Sequence, residues 1–348
     1  MKFGGSSVAN AERIRHVASI IKAYQDKRPA VVLSAMGDTT DHLLEAADKA
    51  VEGVVDVAGV AKLHEDTAAE LGVNIETIQS LLTELKQLLT GISMLKEISK
   101  RSRDYLVSFG ERMSVRMMAA YLESQGIPAK FYDAWDIGIK SDSNFMSAEL
   151  LDEVWKNIPA CLNAYKDGKD NHIPIVTGFI AKDVKGNITT LGRGGSDYTA
   201  AIVAGALNAD ALEIWTDVDG FLTADPRMVR NAYTIEELSY LEAVELSNFG
   251  AKIIYPPTIY PVYEKNIPLY IRNSYNPEFK GTKISGQKTS EEKAIKGISS
   301  INDTCLITLQ GMGMVGVSGI SSRTFQALAN QGISVFLISQ ASSENSTT

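Results

Sequence analysis

Short apolar runs alternate with amphipathic segments along most of the chain. The runs at residues 29–34, 173–178, 212–216 and 267–271 are typical of strands buried on both faces. Between them, apolar residues recur at helical spacing, as at Ile14, Val17, Ala18 and Ile21, where Asn10 is a candidate N-cap, and again from Ile78 to Ile92. Strands that alternate with helices predict an α/β fold with a mostly parallel sheet sandwiched by helices.

The pattern changes after residue 280. Residues 280–293 are polar and almost free of apolar side chains, which predicts a loop and linker. A compact β-α-β pattern follows, with a strand at 304–309, a helix at 322–330 and a strand at 333–339. One unit of this size cannot close a core by itself, so we expect the second domain to be incomplete or completed by another chain. Only three residues precede the first glycine pair, so we also expect a clipped N-terminus.

Composition restricts the class of protein. The 348 residues are 45% hydrophobic and 22% charged, which is normal for a soluble globular protein, and no stretch approaches the ~18 apolar residues of a membrane helix. The net charge of −8, from 34 basic and 42 acidic residues, argues against a nucleic acid or an anionic membrane as the main partner. Two cysteines cannot form a disulfide framework, so we expect a reducing compartment, the cytoplasm.

Several familiar motifs are missing from the sequence. There is no GxxxxGK[ST] phosphate loop, no HExxH and no GxSxG, and the four histidines lack metal-ligand spacing. Residues 311–316 match GxGxxG, but the next predicted strand ends in Ser339 and Gln340 without the acid that would hold a ribose hydroxyl. We interpret this match as a tight loop between strand and helix.

Two glycine-rich clusters carry a cation. Lys2 is followed by Gly4, Gly5 and Ser6 at a predicted strand end, where backbone N–H groups could approach a phosphate beside a positive charge. Residues 191–199 place Arg193 among three glycines ahead of an apolar helix. An arginine fork there suits a carboxylate or a phosphate, whereas Ser196 or Asp197 could simply cap the helix.

Two further clusters carry acids. Thr216, Asp217 and Asp219 leave the carboxyl end of a buried strand, where α/β sheets place ligands, although consecutive Asp-Gly and Asp-Pro turns would explain them too. Residues 109–114 place Glu111 where a Met-rich helix is predicted to open, and acids at a helix start are common for electrostatic reasons alone. Taken together, the four clusters indicate nucleotide binding and phosphoryl transfer.

The clusters also resemble, in order, the motifs of the aspartokinases within the amino acid kinase family. The matching strings are KFGGSSVA, VVLSAMGDTTDHLL, SFGERMS, VTGFIA, LGRGGSDYTAA, WTDVDGFLTADPR and LSNFGAKIIYPPT. The final segment resembles the opening of an ACT regulatory domain. Its sequence is most similar to that of the bifunctional aspartokinase–homoserine dehydrogenases. The resemblance implies a catalytic domain over 1–283, a linker over 284–296 and an incomplete ACT-type domain over 297–348, with further domains downstream.

The resemblance implies transfer of the γ-phosphoryl group of MgATP to the β-carboxylate of L-aspartate. That carboxylate is ionised at neutral pH, so no general base is needed, and catalysis is positioning and charge neutralisation. Magnesium would be held by phosphates and water rather than by a protein metal site. The implied catalytic residues are Lys2, Asp197 and Lys252. The implied nucleotide contacts are Gly4, Gly5, Ser6, Thr216, Asp217 and Arg227. The implied aspartate contacts are Ser34, Thr40, Glu111 and Arg193, with Asp197 beside the ammonium group.

Two alternatives remain open at this point. A sister kinase for glutamate derivatives, uridylate or carbamate would share the sheet and the glycine loops. A non-catalytic amino-acid sensor would share the fold without the reaction. The resemblance further implies a homo-oligomer with an effector, threonine or lysine, at ACT domains, while effector identity, oligomer size and kinetic constants do not follow from the sequence.

Overall fold

A computed structural model describes residues 1–251, 253–286, 295–302, 304–342 and 345–348. They form two compact units, Met1–Ser300 and Ile301–Thr348. Within the described residues no helix is both long and apolar enough to cross a membrane.

The first unit is built on two sheets. Its described strands are β1 (Lys2–Phe3), β2 (Val31–Leu33), β3 (Ala129–Tyr132), β4 (Lys140–Ser141), β5 (Ile173–Thr177), β6 (Ile180–Asp183), β7 (Ile188–Thr190), β8 (Leu212–Thr216), β9 (Glu237–Ser239), β10 (Leu269–Asn273) and β11 (Thr282–Ser285). The main sheet has the order β3-β5-β2-β1-β8-β10-β11-β9, and only the β10–β11 pair is antiparallel. Strands β4, β6 and β7 form the smaller sheet.

Helices cover both faces of the main sheet. They are α1 (Ala11–Ala23), α2 (Thr39–Val51), α3 (Ala58–Leu71), α4 (Glu76–Leu95), α5 (Lys100–Ser124), α6 (Val154–Lys166), α7 (Gly195–Leu207), α8 (Tyr240–Asn248) and α9 (Ile259–Glu264). Helices α1–α5 contribute to one core and α6–α9 to the other. Val31 and Leu33 belong to the first core and Val32 to the second, because successive strand residues point to opposite faces. The predicted mostly parallel sheet between helices is confirmed.

The helix that carries Glu111 begins earlier than its pattern suggested. Helix α5 starts at Lys100, and the Ser99 side chain accepts a hydrogen bond from the Ser102 N–H. The prediction that a helix opens at residues 109–111 is therefore wrong. Gly110 lies inside α5. A glycine is needed at this position because a Cβ would lie 2.7 Å from Cβ of Ala35. The glycine serves close packing against the turn after β2, not helix initiation.

The polar stretch after residue 280 is not entirely a loop. Thr282 and Ile284 are buried in β11, and the Thr282 hydroxyl donates to the Ile235 carbonyl oxygen. The predicted domain boundary at residue 283 therefore falls inside a strand of the main sheet. Of the predicted 280–293 linker, residues 287–293 lie outside the described residues.

The second unit contains β12 (Leu309–Gln310), α10 (Ile320–Asn330) and β13 (Ser346–Thr347), and β12 pairs antiparallel with β13. The predicted helix is present, but only the last residue of the first predicted strand is in β12. The strand predicted at 333–339 is wrong, since these residues have no strand conformation and Phe336 and Leu337 are 55% and 68% exposed. Backbone pairing begins only at the end of this run, where the Ser339 N–H donates to the Thr348 carbonyl oxygen at 2.8 Å and the Ser339 carbonyl oxygen accepts from the Thr348 N–H at 2.7 Å.

Candidate active site

Lys2 and Asp197 form an ion pair at the centre of the first unit. Lys2 Nζ lies 2.7 Å from Asp197 Oδ1, and their side chains are 11% and 14% exposed. Lys2 lies on β1, between β2 and β8, and Asp197 lies in the first turn of α7. The N-cap of α7 is Gly194, without a side-chain cap, so capping by Ser196 or Asp197 is excluded. The acid is instead free to pair with a lysine that is distant in sequence.

This pair lies in the wall of a cavity of about 560 Å³. Seven of the sequence-predicted site residues line it: Lys2, Gly5, Ser34, Thr40, Glu111, Arg193 and Asp197. They come from the ends of β1 and β2, the first turns of α2 and α7, the turn between β7 and α7, and the middle of α5. The parallel order β2-β1-β8 brings the carboxyl ends of these strands to one edge, where α/β sheets bind ligands.

Two glycine turns pack together at the rim of the cavity. The Gly37 N–H donates to the Gly5 carbonyl oxygen at 3.0 Å. A Cβ on Gly5 would lie 2.9 Å from the Ala35 carbonyl oxygen, so a larger residue would push the turns apart. A Cβ on Gly4 would lie 3.5 Å from Lys2 Nζ, which shows how closely this backbone approaches the lysine. The close approach favours a bound phosphate.

Glu111 is a fully buried carboxylate in the cavity wall. Its Oε1 accepts a hydrogen bond from the Ala35 N–H at 3.2 Å, while its buried Oε2 has no hydrogen-bond partner in the structure. Burial raises the pKa of Glu111 to about 8, against the opposing effects of backbone hydrogen bonds and the Lys2 charge. A buried, unsatisfied carboxylate oxygen is costly unless a ligand donates to it, and an ammonium group would do so.

Arg193 lies on the turn between β7 and α7. The flanking Gly192 and Gly194 have φ of 71° and 69°, and a Cβ on Gly194 would collide with Tyr255 at 2.3 Å. The arginine is exposed, and the described part of the chain offers it no ion-pair partner. Its planar guanidinium is therefore available for a carboxylate ligand.

The sequence reasoning missed several residues that line the cavity, among them Asp104, Met146 and Phe179. Phe179 follows β5 with φ of 66°, a conformation rare for an aromatic residue. Its N–H donates to Thr199 Oγ1 at 3.2 Å and its carbonyl oxygen accepts from the Leu191 N–H at 2.9 Å. The only local sequence signal for Asp104 is its position seven residues before Glu111, two turns along one helix face.

Only some of the residues predicted to contact the nucleotide lie close to one another near the end of β1. The Gly4 N–H donates to the Trp215 carbonyl oxygen at 3.3 Å, which brings Thr216 and Asp217 next to the end of β1. The Ser6 carbonyl oxygen accepts from the Tyr275 hydroxyl at 3.1 Å. Arg227, by contrast, is 87% exposed, pairs with Asp225 at 2.8 Å and does not line the cavity. Lys252 lies outside the described residues.

The described residues contain no group of three His, Cys, Asp or Glu side chains placed to hold a metal ion. The cations that line the cavity and could face phosphate oxygens are Lys2, Arg103 and Arg193, beside the carboxyl groups of Asp104, Glu111 and Asp197. This donor set suits an ion that reaches the site on the phosphates with its own water, as Mg²⁺ does.

Known proteins resemble the chain along almost all of its length. The sequence model of the amino acid kinase family matches residues 1–273, and that of an ACT domain matches residues 307–348. Aspartokinase 2, chloroplastic, of Arabidopsis thaliana is 40% identical over 346 residues, covering 97% of this chain and 63% of that protein. The bifunctional aspartokinase/homoserine dehydrogenase of Haemophilus influenzae is 36% identical, covering 99% and 43%.

A solved structure agrees with these matches. E. coli aspartokinase III in complex with aspartate and ADP (R-state) superposes with a TM-score of 0.80 at 29% identity, covering 99% of this chain and 76% of that one. The chain spans about 63% of the length of the Arabidopsis relative. With its family match over 273 of 348 residues and the sheet and cavity described above, the chain belongs to the amino acid kinase family.

Proposed function

We propose that the protein is an aspartate kinase, which transfers the γ-phosphoryl group of MgATP to the β-carboxylate of L-aspartate and yields 4-phospho-L-aspartate. The observation that carries the proposal is the Lys2–Asp197 pair in one cavity with Glu111 and Arg193. This set offers a cation for the transferring phosphoryl group and charges of both signs for a zwitterionic amino acid. The similarity to proteins named aspartokinases supports the same substrate.

Each side chain has a defined task in this proposal. Lys2 neutralises charge on the transferring phosphoryl oxygens, and Asp197 holds the ammonium group of Lys2 in place. Arg193 binds the α-carboxylate of aspartate in a bidentate manner. Glu111 and Asp197 receive the substrate ammonium group, and Ser34 and Thr40 complete the pocket around the acceptor.

The nucleotide is assigned to the neighbouring loops. Gly5 and Ser6 supply backbone donors, whereas the Gly4 N–H already donates to the Trp215 carbonyl oxygen, so Gly4 is assigned only to the close approach of the backbone. Thr216 and Asp217, at and just after the end of β8, are assigned to the nucleotide side. Arg227 and Lys252 are assigned to ATP by their place in the aspartokinase-like strings alone. Mg²⁺ supplies charge neutralisation on the phosphates when bound, and no protein ligand is assigned to it.

The test is ADP release with and without L-aspartate. The proposal expects release that depends on aspartate and saturates with it, and formation of a hydroxamate from the acyl phosphate on addition of hydroxylamine. Release driven by glutamate, uridylate or carbamate instead would make the chain a sister kinase. Binding of aspartate without any turnover would favour the non-catalytic sensor.

The remaining assignments are predictions about the whole protein. We expect a homo-oligomer, an amino-acid effector, threonine or lysine, at the ACT region, and neither nucleic acid nor membrane as partner. The cysteine content favours the cytoplasm, whereas the Arabidopsis relative is named chloroplastic, so fractionation of the native cell decides the location.

A further inference from the structure

A second buried carboxylate lies in the cavity wall and has no role in the scheme above. Asp104 is 1% exposed, and three donors converge on it. Its Oδ2 accepts from the backbone N–H groups of Met146 at 2.9 Å and Thr190 at 3.0 Å, and its Oδ1 accepts from the Thr190 hydroxyl at 2.9 Å. Burial raises the pKa of Asp104, and these hydrogen bonds act in the opposite direction.

The three hydrogen bonds join segments that are far apart in sequence. Met146 lies in the turn between β4 and α6 and has φ of 74°, a left-handed conformation that costs free energy in a residue other than glycine. The hydrogen bond to Asp104 offsets part of that cost. The Ala148 N–H donates to the Thr190 carbonyl oxygen at 2.8 Å, so the turn is also bound to the end of β7.

The end of β7 leads directly to the arginine of the site. Thr190 is the last residue of β7, and Arg193 follows three residues later. A Cβ on Gly192 would lie 3.2 Å from the Met146 carbonyl oxygen, so the fixed turn packs against the backbone next to Arg193. Helix α5 thus presents Glu111 to the cavity and, two turns earlier, binds a further part of the cavity wall through Asp104.

We propose that Asp104 is a positioning residue for aspartate: its carboxylate holds the Met146 turn and the end of β7 so that Arg193 is fixed in the cavity wall. The inference rests on the proposed aspartate kinase function. Asp104 acts through Thr190 and Arg193 and makes no contact with the substrate.

Two substitutions at the same position separate geometry from charge. Asp104→Ala removes every acceptor and leaves two buried backbone N–H groups without a partner. Asp104→Asn keeps one oxygen for the two N–H groups, and its amide can donate to the Thr190 hydroxyl, which can act as acceptor. The asparagine variant therefore preserves the hydrogen-bonded geometry while it removes the negative charge.

The kinetic expectation is specific to aspartate. Asp104→Ala should lower kcat/KM for aspartate by about 10–100-fold, mostly through KM, because Arg193 is no longer fixed in place. The KM for ATP should stay within about twofold, since the nucleotide loops do not contact Asp104. Asp104→Asn should restore kcat/KM for aspartate to within about threefold of the original protein. If the asparagine variant is as impaired as the alanine variant, the negative charge itself acts on the substrate and the positioning role is wrong.

The matched control is Asp142→Ala on the same turn. Asp142 also accepts two backbone N–H groups, from Asn144 at 3.2 Å and Glu149 at 3.0 Å, but it does not line the cavity. We expect its loss to leave kcat/KM for aspartate nearly unchanged. An aspartate defect equal to that of Asp104→Ala would mean that any loosening of the turn suffices, and the assignment to Asp104 would be overturned.

Hydrogen exchange tests the geometry without reference to turnover. The amides of Met146 and Thr190 should exchange faster in Asp104→Ala and at the original rate in Asp104→Asn. Unchanged exchange in the alanine variant would show that Asp104 does not hold these segments. A chain that releases no ADP with aspartate but shows the exchange pattern would disprove the proposed function and leave the anchoring by Asp104 established.

Discussion

Glu111 Oε1 accepts a hydrogen bond from the Ala35 N–H at 3.2 Å, which joins the middle of α5 to the turn after β2. Gly110, the preceding residue, permits this approach because a Cβ there would collide with Ala35. The contact aims a buried carboxylate at the cavity that also holds Lys2. Because burial raises the pKa of Glu111 to about 8, this carboxyl group gains and loses its proton near neutral pH.

Aspartate affinity should rise with pH up to about 8. Burial raises the pKa of Glu111 to about 8, so the group is mostly protonated in the free protein at pH 7, whereas binding of an ammonium group requires the ionised form. Below pH 8, the Kd for aspartate should rise by up to about tenfold for each pH unit by which the pH is lowered. Calorimetric titration between about pH 6 and 9 measures this, and Glu111→Gln should bind weakly with a flat profile. A flat profile in the unchanged protein would contradict the assignment.

The raised pKa of Glu111 should also make the stability of the fold depend on pH. A carboxyl whose folded pKa lies above its ordinary value of 4.5 keeps its proton in the folded state while the unfolded chain has lost it. Glu111 therefore stabilises the fold least at high pH, and its contribution to the free energy of unfolding falls as pH rises from about 4.5 to about 8. Denaturant unfolding across this range should show a smaller decline in Glu111→Gln than in the unchanged protein. Equal declines in the two proteins would count against the raised pKa.

Replacing Lys2 should impair the chemical step. Lys2→Met should lower kcat by about 10²–10³-fold, the usual loss for one preorganised transition-state contact, with a much smaller change in KM for aspartate. Steady-state kinetics give both values, and circular dichroism checks folding. Lys49→Met is the control, because Lys49 also pairs with an aspartate, Asp56 at 3.4 Å, but lies exposed and outside the cavity. Near-normal turnover in folded Lys2→Met would mean that the lysine has no catalytic role.

Arg193 should matter for aspartate and not for ATP. Arg193→Ala removes a charge-assisted hydrogen-bond donor and should weaken aspartate binding about ten- to hundredfold, and Arg193→Lys should restore little because the bidentate fork is lost. Arg227→Ala is the matched comparison, an exposed arginine assigned to the nucleotide. Titration of each variant with each ligand should show opposite selectivity. Equal losses for both ligands in Arg193→Ala would place this arginine on the nucleotide instead.

A side chain at position 194 should lower the free energy of unfolding. Gly194→Ala adds a Cβ 2.3 Å from Cβ of Tyr255 at a φ of 69°, whereas Gly186→Ala has a φ of 85° with nothing within 4 Å. The second substitution should cost about 1 kcal/mol from backbone strain alone, and the first about 1–3 kcal/mol more from overpacking. Urea unfolding measures both. Equal losses of stability would show that the turn yields easily at Tyr255.

The sequence by itself determined the repeating elements and the family motifs. Period-3.6 patterns placed α1 and α4, including the Asn10 cap, which accepts from the Arg13 N–H, and apolar runs placed β2, β5 and β8. These features depend on residues near one another in the chain, so local patterns suffice. The glycine and charge clusters likewise contain five of the predicted site residues that line one cavity, and the resemblance to the aspartokinases added Ser34 and Thr40.

The tertiary structure decided which of those charges meet and what supports them. Asp197 pairs with Lys2 instead of capping its own helix, and Asp104 binds Thr190 across 86 residues. The run at 333–339 forms no strand, while Thr282 becomes part of one because β11 lies between β9 and β10. Such outcomes depend on contacts between distant segments, and a hydrogen bond or ion pair of that kind leaves no periodic trace in the sequence.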